Sequence, residues 1–193
     1  MNTAQIGVFV VPVLIYAALR HWRQGESWRL VTDKLGLTAG NRSGYAIAGA
    51  LAVLLIGATW LILHALPASV LHDPRVTASQ GAALHISALT VALVLAQQLL
   101  LVAVWEELFF RGFLGGWLVR KLGFRRGNAI QATLFVIPHL LLLLVSLAFW
   151  PLLILQWGFG WINGWLRTTT GSIGPGVLVH TVANAAAIVL AAL

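Results

Sequence analysis

The 193 residues are 60% hydrophobic and 9% charged, with a mean hydropathy of +0.90, whereas soluble domains carry about 25% charge; too few polar side chains are present to cover a water-facing surface. Twelve Lys and Arg against five Asp and Glu give a formal charge of +7. The basic residues sit in short gaps between apolar runs and form no stripe interleaved with aromatics, which argues against nucleic acid, and the lack of cysteine excludes disulfides and thiolate sites.

Apolar runs fall at 4–19, 45–66, 81–119, 128–145, 149–166 and 173–193. The first has no basic segment ahead of it and is followed by Arg20 and Arg23. A cleaved signal has the reverse order, so this run reads as a retained span. Segment 20–44 is the one substantial polar stretch and predicts a short amphipathic interfacial helix anchored by Trp22 and Trp28. Segment 67–80 holds two prolines and predicts a loop. The stretch 128–166 must be divided, and Pro151 places the break between Ser146 and Pro151. At about 20 residues per crossing, the expected fold is all-α: a polytopic transmembrane helical bundle of about six spans, with seven as the alternative, in a single membrane-embedded domain over residues 1–193.

In a six-span arrangement Arg20, Arg23, Arg29, Lys34 and Arg42 share one side with Arg120, Lys121, Arg125, Arg126 and Arg167, and the other side has only Arg75. The positive-inside rule then places loops 20–44 and 120–127 in the cytoplasm and both termini outside.

Within the apolar runs the main ionisable residues are Glu106, Glu107, Arg111, His139 and His180. Such residues are costly in lipid and normally face the bundle interior or a wet cavity. Glu107 and Arg111, Phe135 and His139, and His180 and Asn184 are each four residues apart, so each pair shares a helix face. At the helical rise, Glu106, His139 and His180 lie about 21, 17 and 18 Å from the basic or polar ends of their runs, a common depth. Two carboxylates, two imidazoles, an amide and a guanidinium can activate water and stabilise an oxyanion. The same set could bind a divalent metal such as Zn through Glu106, His139 and His180. An ion-coupled transporter and a structural polar network remain open on this chemistry alone, although the two halves show no internal repeat.

The motifs EExxxR (Glu106, Glu107, Arg111), FxxxH (Phe135, His139) and HxxxN (His180, Asn184) occur in that order between residues 105 and 184. The chain thereby resembles the CAAX-protease and bacteriocin-processing family of intramembrane proteases, which includes the type II CAAX prenyl endopeptidases and the Abi proteins. The resemblance implies an intramembrane endopeptidase of glutamate or metal type, in a multi-pass prokaryotic membrane protein with a catalytic core at about 81–193. It casts Glu106 as the base activating water, His139 as its partner on that water, and His180 with Asn184 as the oxyanion pair. Glu107, Arg111 and Phe135 are supporting. The implied partners are the lipid bilayer and a membrane-associated peptide or protein, with a prenyl group or a leader left open. No cofactor is assigned, a divalent metal being the alternative. Outside proteolysis, a non-catalytic membrane scaffold or immunity protein is the competing reading.

Overall fold

A computed structural model describes residues 3–66, 73–81 and 84–193. Helix α1 (Thr3–Ala18) runs on through a π turn, Leu19–Arg23. Helix α2 (Trp28–Leu35) starts where the Ser27 hydroxyl accepts the Leu30 amide, and stops at Gly36, whose φ of 74° favours a residue without Cβ. It buries Val31 and Leu35 in a cluster with Val13 and Ala17 of α1 and Leu108. Trp22 and Trp28 stay exposed, so the polar stretch does fold into the short helix its pattern suggested. Helix α3 (Arg42–Ala65) is capped by Asn41 and presents Gly44, Ala48 and Ala52 as its buried stripe. Small residues at that spacing let helices approach closely.

Of the expected loop at 67–80, residues 67–72 lie outside those described. Asp73–Val76 form a turn and Thr77–Gly81 a single 3-10 helix. The next helix, α4, spans residues 88–115 and alternates in character: Ala88–Gln98 is α, Leu99–Ala103 π, Val104–Glu107 α and Leu108–Gly115 π. Widened turns of this kind concentrate at functional sites, and here they bracket Glu106 and Glu107.

Helix α5 (Gly116–Val136) contains Gly123 at φ 75° and ψ 167°, outside helical geometry. The chain doubles back there. A Cβ on Gly127 would lie 2.6 Å from the backbone of Leu118 and Val119, and one on Gly115 would lie 3.3 Å from Cγ of Gln131. The Phe110 and Phe135 rings meet edge-on at 5.1 Å. Helical hydrogen bonding then tightens to 3-10 over Ile137–Leu144, which has Pro138 in its first turn. Ser146 caps the short turn Leu147–Phe149, and α6 (Trp150–Thr170) begins with Pro151 in its first turn, so the chain breaks between Ser146 and Pro151. Gly171 at φ 73° ends α6. Helix α7 (Gly174–Leu190) is the central element, packed on α3, α4, α6 and the 3-10 turn at Thr77–Gly81.

The described residues are helical throughout apart from turns and loops, in keeping with an all-α fold. The expected six or seven spans are not found. Among the described residues three helical stretches are long and apolar enough to cross a membrane: Ile6–Arg23, Arg42–Ala65 and Ala88–Leu144. Most of the runs at 81–119 and 128–145 falls within the third of these, whose two helical legs join at the non-helical Gly123. Helix α6 is diluted by Gln156, Asn163, Arg167 and three threonines, and α7 is apolar but only 17 residues long. Large exposed side chains such as Val53, Leu54, Leu61, Leu89 and Ile154 give these helices the outward apolar surface of an integral membrane protein.

Candidate active site

Glu107 is the most enclosed acid of the chain, with no exposed surface. Its position follows from α4 packing against the middle of α6 and α7. Three side chains converge on its Oε1: Arg111 Nη1 at 3.0 Å, His180 Nδ1 at 3.0 Å and Asn163 Nδ2 at 3.2 Å. The second oxygen, Oε2, has no hydrogen-bond partner among the described residues, and a Cβ on Gly176 would approach it to 2.9 Å. Glycine at 176 is therefore what allows α7 to lie this close to the carboxylate.

Arg111 is also fully enclosed. Its guanidinium carbon sits 4.1 Å from the centroid of the Phe135 ring and 5.6 Å from that of Phe159, a cation–π placement. Nη1 lies within ion-pair distance of Glu107 but off the hydrogen-bond axis, so the guanidinium nitrogens have no aligned acceptor among the described residues.

His180 stands between the two glutamates. A carboxylate facing a guanidinium only accepts, so Nδ1 of His180 carries the proton toward Glu107. Nε2 points to Glu106, whose Oε2 is 3.8 Å away, beyond a direct hydrogen bond. Glu106 is less enclosed than Glu107, with 17% of its side chain exposed, and it accepts no hydrogen bond from another described side chain. Adjacent residues on one helix thus have different surroundings: Glu107 is locked and Glu106 is uncommitted.

His139 donates Nδ1–H to the Phe135 carbonyl at 2.9 Å, which leaves Nε2 as an acceptor. It joins the others through Phe135, whose ring is 4.9 Å from His139 and 6.2 Å, edge-on, from His180. No hydrogen bond links His139 to Glu106 or His180 among the described residues. One turn beyond His180, Asn184 donates to Oε1 of Gln98 at 3.3 Å, and the second hydrogen of its amide remains available.

Glu107, Arg111, Phe135 and His180 are thus assembled directly, with Glu106 at the edge, His139 joined through Phe135, and Asn184 one turn further along α7. Two participants were missed in the sequence. Asn163 is a polar residue in the largely apolar run 149–166, and nothing in its own helix points to Glu107. Gln98, 2% exposed, lies inside an apolar run and forms no motif with its neighbours.

The donor set does not fit a bound metal ion. No three His, Cys, Asp or Glu side chains among the described residues gather into a metal-binding group. His180 and His139 each direct Nδ1 to another acceptor, which leaves Nε2 as the available nitrogen of each ring.

Beside the His139 turn, Thr133, Val136, Ile137 and Leu140 face Leu153, Ile154 and Trp157 across an apolar groove of about 430 Å³. Trp157 is fixed there by its bond to Thr133 Oγ1 at 3.1 Å and by stacking on Trp161.

The model of the family described as type II CAAX prenyl endopeptidase Rce1-like matches residues 87–186, just over half of the chain and all three motifs. No curated protein and no solved structure matches it.

Proposed function

The chain belongs to the type II CAAX prenyl endopeptidase Rce1-like family, and from that premise we propose that it is an intramembrane endopeptidase that cleaves a membrane-associated protein or peptide with a glutamate-activated water. The observation that supports this most is the division of labour between the adjacent glutamates. Glu107 accepts from His180 and Asn163 and faces Arg111, whereas among the described residues Glu106 has only the far nitrogen of His180 within ion-pair distance.

In this reading Glu106 takes a proton from water as the oxygen attacks the scissile carbonyl carbon, while Nε2 of His139 holds that water. The carbonyl electron pair moves to oxygen, where Asn184 and Nε2–H of His180, in this reading an imidazolium with both nitrogens protonated, donate to the developing charge. Collapse of the tetrahedral intermediate breaks the C–N bond, and the leaving nitrogen takes the proton from Glu106. Glu107 and Arg111 act as positioning residues, since Glu107 sets the orientation of the imidazole. The apolar groove beside His139 fits a substrate presented from the bilayer and does not by itself distinguish a prenylated peptide from a leader-bearing one. The catalytic core of the single domain extends from about residue 81 to the last helix, with the basic loops 20–44 and 120–127 facing the cytoplasm.

The test is cleavage by the purified protein in lipid against membrane-tethered and prenylated peptides. Folded Glu106→Gln and His139→Ala variants should both lose turnover. Unchanged turnover in both would overturn the mechanism and favour a scaffold in which the buried network merely ties helices together.

A further inference from the structure

On the side of Arg111 away from the candidate active site is a cavity of about 140 Å³, lined by Arg111, Arg120, Arg167, Asn128 and Gln131, with Gly115, Gly116 and Gly164 forming much of its wall. We propose that this cavity is a binding site for a phosphate oxyanion, either free phosphate or the phosphate of a lipid headgroup. The proposal is independent of the proteolytic reading.

Three guanidinium groups face one small space, and only one has a carboxylate neighbour. Arg120 donates to the Lys34 carbonyl and the Tyr16 hydroxyl, and Arg167 to the Asp33 and Lys34 carbonyls; neither has an acidic partner among the described residues. The nearby Glu26 is already taken up by Arg20 and Lys34. Arg111 is 1% exposed, and its nitrogens and Nε of Arg167 are buried without a hydrogen-bond acceptor. Buried donors without acceptors are costly, and an oxyanion supplies acceptors in several directions at once. Guanidinium forks match that geometry.

Size and position limit the ligand further. A cavity of about 140 Å³ has room for the five heavy atoms of a phosphate. The wall is shaped for polar contact, because a Cβ at Gly164 would overlap Oδ1 of Asn128 and one at Gly116 would press on Arg120 at 3.1 Å. Gln131 Oε1, buried without a donor, can accept a P–O–H proton. The contacts of Arg120 and Arg167 with residues 33–34 put the cavity at the end of the bundle where the basic gaps meet, and basic pockets between helices at such an end suit lipid phosphates.

The test uses the full chain in maltoside micelles, which contain no phosphate, with thermal unfolding as the readout. One arm titrates inorganic phosphate against chloride at equal ionic strength. The other titrates phosphatidylglycerol against uncharged monoolein. A ligand-specific rise in Tm is expected in at least one arm, and the arm that responds identifies the source. The apparent affinity should fall about tenfold or more in Arg120→Gln and in Arg167→Gln, while Arg167→Lys retains part of it. Arg120 is exposed, so its variant keeps the test valid if loss of the Arg167 contacts disturbs folding. No rise beyond the controls in either arm, or equal affinity in wild type and Arg120→Gln, would overturn the proposal.

Discussion

Nδ1 of His180 lies 3.0 Å from Oε1 of Glu107, across 73 residues of chain, while the opposite nitrogen of the same ring faces Glu106 at 3.8 Å. One imidazole therefore reads two neighbouring carboxylates differently, gripped by one and open toward the other. On the proposed mechanism, removing either acid should have a different consequence.

Glu106→Gln is expected to fold normally and lose about 10²–10⁴-fold in turnover, the usual contribution of a general base. Its helicity and Tm should match wild type, because its carboxylate accepts no hydrogen bond from another described side chain. Retained turnover against a peptide that the wild type cleaves would exclude Glu106 as the base.

Glu107→Gln should act first on stability. Glu107 and Arg111 are both fully enclosed, and breaking a buried pair by removing one partner costs about 3–5 kcal/mol. The double variant Glu107→Gln with Arg111→Met should recover much of that loss, because the unpaired guanidinium is then gone. Thermal unfolding of the two single variants and the double one provides the cycle, and purely additive losses would show that the pair is not coupled.

Gly127→Ala should destabilise the protein by about 1–3 kcal/mol through overpacking. The added Cβ would meet the backbone of Leu118 and Val119 at 2.6 Å, and backbone cannot swing aside. Gly158→Ala, where a Cβ meets nothing within 4 Å, is the control and should be neutral or slightly stabilising. Equal Tm values for the two variants would contradict the close approach of the hairpin legs.

Acid should release the tie between α1 and α2. The Lys34 hydrogen bond, aided by that of Arg20, holds the Glu26 carboxyl below the ordinary glutamate range against an opposing effect of desolvation. A depressed folded-state value means that the stabilisation is present above the unfolded value of about 4.3 and disappears as pH falls through the lower folded value. The Tm difference between wild type and Glu26→Gln should thus be constant near neutrality and vanish in stronger acid. A difference independent of pH would mean that the ion pairs contribute nothing.

The sequence by itself determined the membrane class, the helical fold, the break between Ser146 and Pro151, the short helix after the first span, and the three motif faces. Each of these depends on local information: hydropathy along a run, a proline that cannot donate, or an i,i+4 spacing that holds on any helix. The span count did not follow from hydropathy, because most of the runs at 81–119 and 128–145 falls in one long helical stretch kinked at Gly123 and because polar residues dilute Trp150–Thr170. The i,i+4 spacing already set Glu107, not Glu106, on the face of Arg111, but only tertiary structure showed that α6 brings Asn163 and α7 brings His180 against the same carboxylate. It also decided that Gly176 lets α7 approach Glu107, and that Arg120 and Arg167, 47 residues apart, face one cavity. These are relations between helices distant in the chain, set by how the small-residue faces pack, and no local pattern encodes the register in which they meet.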